Sequence, residues 1–296
     1  MISKYGIFCK VIEIGNFTRV AELCGYSQSA VSQNIKALEQ ELGFTLIDRR
    51  KDGIRLTSDG EQLYPFIKSV YTAEKELEQR QREMNGLTNS IISIGTFTGV
   101  SRNFLPPFIK SFKDMYPDVR FVLRQGEYSS IADWIKDGSV DFGFVNAEAV
   151  TGVETSVLYD ERMMAVLPVG HNLADREYVT LKEIENEPLI LLEEGNYSVP
   201  LTEFERHNIK PNVAYDVYDD YTILSMVKQN IGISLIYERV LNGYEGDLVI
   251  KPIKENPCRK VALAWRNRNT MSRAAKLFTD HIITQNNKQK QARVLT

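Results

Sequence analysis

The sequence predicts an α/β chain in three parts: an N-terminal winged helix-turn-helix, a long linker helix, and a C-terminal domain of two α/β subdomains. Three observations predict it. Two helical patterns hinged at Gly25 precede a cationic hairpin. A thin apolar stripe with a seven-residue repeat then runs through a highly charged stretch from Ser58. From Ile91 onward, short strand-like runs alternate with helical ones, the texture of sheets flanked by helices.

The first part opens with the run from Phe17 to Lys36. Its second helical pattern starts at Ser27, an N-cap residue type, and places Val31, Ile35, Leu38 and Leu42 on one inward face. The opposite face carries Gln28, Ser29, Ser32, Gln33 and Lys36. Short amides and hydroxyls suit a helix that must enter a major groove and meet base edges. Ser27 and Thr18 join them as candidate DNA contacts. An ordinary amphipathic helix pair with a solvated face would look similar, and the next segment separates the two readings. Leu46–Ile47 and Ile54–Arg55–Leu56 flank Asp52-Gly53, a tight-turn pair, and the hairpin concentrates Arg49, Arg50, Lys51 and Arg55. A cationic hairpin directly after a groove-type helix is a wing, placed to hold phosphate or to slip into a minor groove.

This segment resembles the N-terminal domain of the LysR-type transcriptional regulators. The matching residues are Phe17, Ala21, Leu23, Ser27, Gln28, Ala30, Val31, Ser32, Ile35, Leu38, Glu39, Leu42, Gly43, Leu46, Arg49, Leu56, Thr57 and Gly60. Two positions depart from the pattern: Ile47 stands where the family often has Phe, and Gln33 where Arg is common. The resemblance implies double-stranded DNA with an inverted-repeat operator as one partner, and a homodimer that assembles into a homotetramer.

Ser58 and Glu61 have capping-box spacing, and Leu63, Val70, Leu77 and Met84 recur seven apart among Glu74, Lys75, Glu76, Glu78, Arg80 and Arg82. So narrow a stripe favours a partner helix over packing on its own domain. In the resembling family this is the dimerising linker helix. The expected organisation is a DNA-binding domain over 1–58, a linker helix over 59–87, and an effector-binding domain over 88–296. Within the last, subdomain I covers about 88–162 plus 267–290 and subdomain II about 163–266. The polar stretch from Gln285 to Thr296 is expected to be disordered.

In the third part, strands are expected at Ile91–Gly95, Val119–Arg124, Asp141–Val145, Met163–Leu167, Leu189–Leu192, Val213–Val217 and Ile233–Ile236. Helices are expected at Ser101–Tyr116, Ser129–Lys136, Pro200–His207, Tyr221–Gln229 and Met271–Thr284. The alternation predicts parallel sheets. Ile94-Gly95-Thr96, Leu105-Pro106, Tyr116-Pro117-Asp118, Asp141-Phe142-Gly143 and Ile231-Gly232-Ile233 resemble the family's effector domain, whose fold is that of periplasmic solute-binding proteins. Tyr237 stands where the family often places Pro. Ligands in open α/β sheets bind beyond the carboxyl ends of strands. That rule selects Thr96, Thr98, Gly99, Ser101, Gly126, Glu127, Asn146, Asn196, Tyr197 and Asp219 as candidate effector contacts, with Gln125 and Glu194 nearby. The hydroxyls before the first helix suit a carboxylate, but Glu127, Glu194 and Asp219 argue against a strongly anionic ligand unless it also bears an amine or hydroxyls. Ser101 is equally placed to be only a helix cap.

Composition narrows the function class. With 43% hydrophobic and 25% charged residues the chain is ordinarily globular, and 296 residues suffice for about two domains. A formal net charge of -3 leaves any DNA affinity to a local patch. Neither a charged leader with an apolar core nor a membrane-length apolar run is visible, so a cytoplasmic protein without a membrane partner is expected. Cys9, Cys24 and Cys258 lack metal-type spacing, and His171, His207 and His281 are scattered, each expected at the surface or in a loop. No metal, cofactor or catalytic constellation is read; the carboxyl pairs Glu193-Glu194 and Asp219-Asp220 are sequence neighbours. The expected function is an operator-binding regulator modulated by a small polar metabolite. A cytosolic solute-binding module without a regulatory role, and an enzyme on an α/β scaffold, are the alternatives.

Overall fold

A computed structural model describes residues 2–50, 53–84, 90–244 and 246–294, with backbone alone at 49, 50, 79, 80, 82–84 and 292–294. The chain divides into two compact units, Met1–Met84 and Asn85–Thr296.

In the first unit, α1 (Lys4–Ile14), α2 (Phe17–Cys24) and α3 (Gln28–Leu42) enclose a core of Phe8, Val11, Val20, Val31, Ile35 and Leu38. Gly25 ends α2 with φ +69°, a conformation that costs a side-chain-bearing residue extra energy, and so sets the turn into α3. The Ser27 side chain accepts from the Ala30 N–H at 3.1 Å, the expected cap. Strands β1 (Ile47–Arg50) and β2 (Gly53–Leu56) pair antiparallel, Ile47 opposite Leu56 and Asp48 opposite Arg55. The hairpin turn at Lys51 and Asp52 lies outside the described residues.

The long helix α4 (Ser58–Met84) starts as expected, but its cap is not Ser58. The Thr57 hydroxyl accepts from the Gly60 N–H at 3.0 Å and donates to the Thr45 carbonyl at 2.6 Å. Thr57 thereby holds the wing's closing strand and the helix start with one side chain, which a capping box at Ser58 could not do. Leu63 and Ile67 turn into the core of the unit, while Phe66, Val70 and Leu77 are 71%, 43% and 61% exposed. The exposed stripe is Phe66, Val70, Ala73 and Leu77, with spacing of four, three and four; Leu63 belongs partly to the core instead. The side chain of Met84 is outside the described set, as are residues 85–89.

The second unit has two lobes. In the first, β3 (Ile91–Thr96), β4 (Arg120–Gln125) and β5 (Phe142–Asn146) are parallel. Strand β11 (Cys258–Trp265) pairs antiparallel with β5 and with the first half of β6 (Glu154–Leu167). Helices α5 (Thr98–Asn103), α6 (Leu105–Met115), α7 (Tyr128–Lys136) and α10 (Arg273–Val294) cover this sheet. In the second lobe, the latter half of β6 pairs antiparallel with β9 (Ser234–Tyr237) and β10 (Val249–Pro252). Strands β7 (Leu189–Leu192) and β8 (Val213–Val217) pair parallel, and α8 (Val199–Arg206) and α9 (Asp220–Lys228) complete the lobe around Phe204, Ile223, Leu224 and Ile236.

Four expectations are corrected. The large sheet is mixed rather than parallel, because β6 and β11 run antiparallel to their partners, and among the described strands only β7 with β8 forms a purely parallel pair outside it. Residues 258–265 belong to the first lobe rather than to subdomain II, since β11 hydrogen-bonds to β5. The stretch from Gln285 is helical through Val294, and Asn286 donates to the Leu158 carbonyl at 3.0 Å, which ties it to the sheet. His281 is neither a loop nor a plain surface residue. It faces the Ser111 hydroxyl at 2.7 Å and packs edge-on to Phe112.

Candidate functional site

The first candidate surface is α3 with its wing. Thr18, Ser27, Gln28, Ser29, Gln33 and Lys36 are exposed and Ser32 is half-buried, all opposite the buried Val31, Ile35 and Leu38. Ser27 and Ser29 share a hydroxyl contact of 2.8 Å, and Asn34 is turned back onto the Ala30 carbonyl at 2.9 Å, leaving the ridge to the others. Glu39 fixes the wing: one carboxylate oxygen accepts from the N–H groups of Leu46 at 2.8 Å and Ile47 at 3.3 Å. Ile47 is buried, so the smaller side chain still fills the wing base. Gly60 meets the same segment so closely that a Cβ there would sit 2.2 Å from the Leu46 carbonyl oxygen. Arg55 is exposed on β2. Arg49 and Arg50 lie on β1, their side chains outside the described set, and Lys51 lies outside it entirely.

The second is a cleft of about 440 Å³ between the two lobes. Of the candidate contacts, Thr98, Gly99, Gly126, Glu127 and Asp219 line it, together with Gln125 and Glu194. Five do not. Thr96 is fully buried in β3, its hydroxyl turned to the Phe97 carbonyl. Ser101 lies one turn inside α5, which begins three residues earlier than expected; its hydroxyl donates to the Thr98 carbonyl and accepts from Gln125, so it neither lines the cleft nor caps the helix. The Asn146 side-chain oxygen accepts from the N–H groups of Glu148 and Lys260, holding the end of β5. Asn196 is exposed beside the cleft, and Tyr197 donates to Glu148 at 3.4 Å.

The centre of the cleft was not foreseen. Arg259, on β11, is 3% exposed and donates twice to one oxygen of Glu161, at 2.9 and 2.7 Å, and once to the Tyr128 hydroxyl at 2.7 Å. Its guanidinium lies 3.4 Å from the ring centre of Tyr237 and 4.3 Å from that of Phe97. Tyr128 and Tyr237 each donate to Glu194, at 2.8 and 2.6 Å, and Glu194 also accepts from the Val199 N–H. Tyr128 and Arg259 belong to the first lobe, Glu194 and Tyr237 to the second, so the network spans the cleft floor. Glu194, already placed beside the candidate contacts, and Tyr237, the departure from the family pattern, were its two traces in the sequence. Burial pushes the Glu194 carboxyl above its ordinary value, against the pull of Arg259 and both tyrosines. Burial likewise raises Asp220 to about 6, with Arg259 acting against it and Asp219 and Glu194 reinforcing it. At the mouth, Gly126 lies against Trp134, whose ring would be 2.5 Å from an added Cβ.

Comparison with known proteins agrees with this architecture. The profile for the bacterial regulatory helix-turn-helix protein, lysR family, matches residues 2–61, and that for the LysR substrate binding domain matches residues 85–287. The chain is 31% identical over 282 residues to the HTH-type transcriptional regulator YvbU of Bacillus subtilis, covering 94% of this chain and 96% of that one. The crystal structure of HinK, a LysR family transcriptional regulator from Pseudomonas aeruginosa, aligns with a TM-score of 0.60 at 26% identity, covering 96% and 97% of the two chains. Full-length CbnR in complex with its target DNA shares the fold, with a TM-score of 0.70 at 18% identity over 94% and 97%. A groove-type helix held by a wing and a two-lobed binding domain, each matched over its own length, give one conclusion: the chain belongs to the LysR family of bacterial transcriptional regulators.

Proposed function

We propose that the ridge of α3 reads operator bases while the wing grips the backbone, and that a small metabolite in the cleft biases the regulator between two states. The observation that carries the first half is the row of exposed amides and hydroxyls opposite a buried face, with Glu39 pinning the wing beside it. Gln28, Ser29, Ser32 and Gln33 carry donors and acceptors of the kind that distinguish base pairs. Lys36, Arg49, Arg50, Lys51 and Arg55 supply the phosphate charge, with Thr18 and Ser27 at the groove edge. The stripe of Phe66, Val70, Ala73 and Leu77 pairs two chains, as a two-fold operator requires. The work is regulation rather than catalysis, carried out where the operator is, in the bacterial cytoplasm.

In the cleft, Thr98, Gly99, Gly126, Glu127 and Asp219 face the ligand, joined by Asp220, Tyr218 and Arg259. A ligand shifts the balance only by its different affinity for the two states, and operator DNA must then alter ligand affinity by the same factor.

Fluorescence anisotropy on the chain's own upstream DNA tests the DNA reading. Gln33→Ala should cost roughly 1–3 kcal/mol on the preferred sequence and relax preference there, whereas Arg55→Ala should weaken all sequences and lower the salt slope by about one. Equal behaviour of the two variants across sequence and salt would refute the division of labour.

A further inference from the structure

We propose that the cleft takes a small metabolite bearing a protonated amine together with a hydrogen-bond acceptor, an amino acid or an amino alcohol, and rejects plain carboxylates. The inference rests on reading the cleft as the effector site and names what that site selects.

The cleft, of about 440 Å³, fits a small metabolite. Its wall carries five carboxylates, on Glu127, Glu193, Glu194, Asp219 and Asp220, against one guanidinium, Arg259. That cation is already matched by Glu161, which takes two of its N–H groups. An anionic ligand would therefore meet uncompensated negative charge from both lobes. An ammonium group meets the opposite: Asp220 is a carboxylate only 6% exposed on the cleft wall, beside Asp219, and a cation there restores what burial has taken away. Tyr218 lines the cleft and is 75% exposed, and its ring offers a face on which an ammonium group can also rest.

Arg259 supplies the second half of the selectivity. Guanidinium has five N–H donors, and three are spent on Glu161 and Tyr128. Nη2 lies 3.0 Å from where a Cβ on Gly99 would be, so the missing side chain leaves the guanidinium open to the cleft. A ligand oxygen at that point completes a buried donor set. The two subsites differ in sign, and a molecule holding an amine and an acceptor satisfies both while adding little net charge.

Isothermal titration on the full-length chain at pH 7.5 tests this with a matched set, butyrate, n-butylamine and 4-aminobutyrate, and with the common amino acids and ethanolamine. The expected result is binding by at least one probe that carries both groups and none by butyrate. Asp220→Asn should weaken that binding by about tenfold or more, the scale of a lost charged hydrogen bond. Asp219→Asn, in which Asn still caps α9, should weaken it in the same direction without risk to the helix start. Circular dichroism verifies folding of both variants. The proposal is overturned if no amine-bearing probe binds, or if binding is within twofold of wild type in both variants. Should butyrate bind and Gly99→Val abolish it, the cleft remains an effector site and only the amine assignment falls. If no probe responds to any of the three substitutions or shifts operator affinity, the effector reading falls with it.

Discussion

Replacing Arg259 by Met removes the only cation among the described residues of the cleft wall and should unfold the second unit at a markedly lower temperature. Three hydrogen bonds of 2.7 to 2.9 Å are lost, and Glu161, 3% exposed, is left with a buried charge. Its other carboxylate oxygen is already without a hydrogen-bond partner, and the next cation, Arg239, stands 3.9 Å away. Stranding one member of a buried ion pair costs about 3–5 kcal/mol. For a unit of about 200 residues this lowers Tm by roughly 6–20 °C. Tryptophan fluorescence reads this unit alone, because both tryptophans, Trp134 and Trp265, lie in it. The double variant Arg259→Met with Glu161→Gln should recover more than half of the loss, since the cost lies in the stranded charge rather than in the absent pair. A single variant costing less than about 1 kcal/mol, or a double variant no more stable than the single, would refute the reasoning.

Asp220 predicts a pH dependence. Its folded-state pKa of about 6 lies above the ordinary 3.8, so the folded state holds the proton more tightly and stability falls as pH rises from about 4 to 6. Asp220→Asn should flatten that slope and, at pH 7.5 without ligand, stabilise the second unit by up to about 3 kcal/mol, less whatever its hydrogen bond to Thr98 contributes; an unchanged pH–Tm curve would refute this. Gly60→Ala forces a Cβ against the Leu46 carbonyl and should destabilise the first unit by about 1–3 kcal/mol, read as earlier loss of operator binding on heating. Val70→Glu with Leu77→Glu places like charges on the exposed stripe of α4 and should shift sedimentation toward monomer, while a variant as associated as wild type would remove α4 from the interface.

Local signals made the first unit legible. Ser27 as a cap and Gly25 as a left-handed stop each act within a few residues, so the sequence contains that argument locally, while the Asp52-Gly53 turn lies partly outside the described residues. Thr57 was missed by one position because its hydroxyl serves a carbonyl twelve residues earlier as well as its own helix. The cleft was half legible: strand-end residues such as Thr98, Gly126 and Asp219 follow from a general rule, and they do line it. Arg259 was not, since Cys258-Arg259-Lys260 reads as a polar stretch. Only the alternation along β11, with Arg259 buried between exposed neighbours, shows which of the two cations turns inward. Its partners Glu161, Tyr128 and Phe97 come from three other segments, and no local pattern joins them. Asn286 was unreadable for the same reason, its bond partner lying 128 residues earlier.

Strand β6 belongs to both sheets, with β11 along Glu154–Arg162 and with β9 and β10 from Met163 onward. The chain passes between lobes there and again between Pro252 and Cys258, and these crossings lie side by side, Met163 donating to the Pro257 carbonyl at 2.8 Å. Paired crossings of this kind make a door hinge rather than a ball joint. Rotation of one lobe against the other would be confined to one axis by these two crossings, so whatever occupies the gap would set a single angle instead of a diffuse loosening.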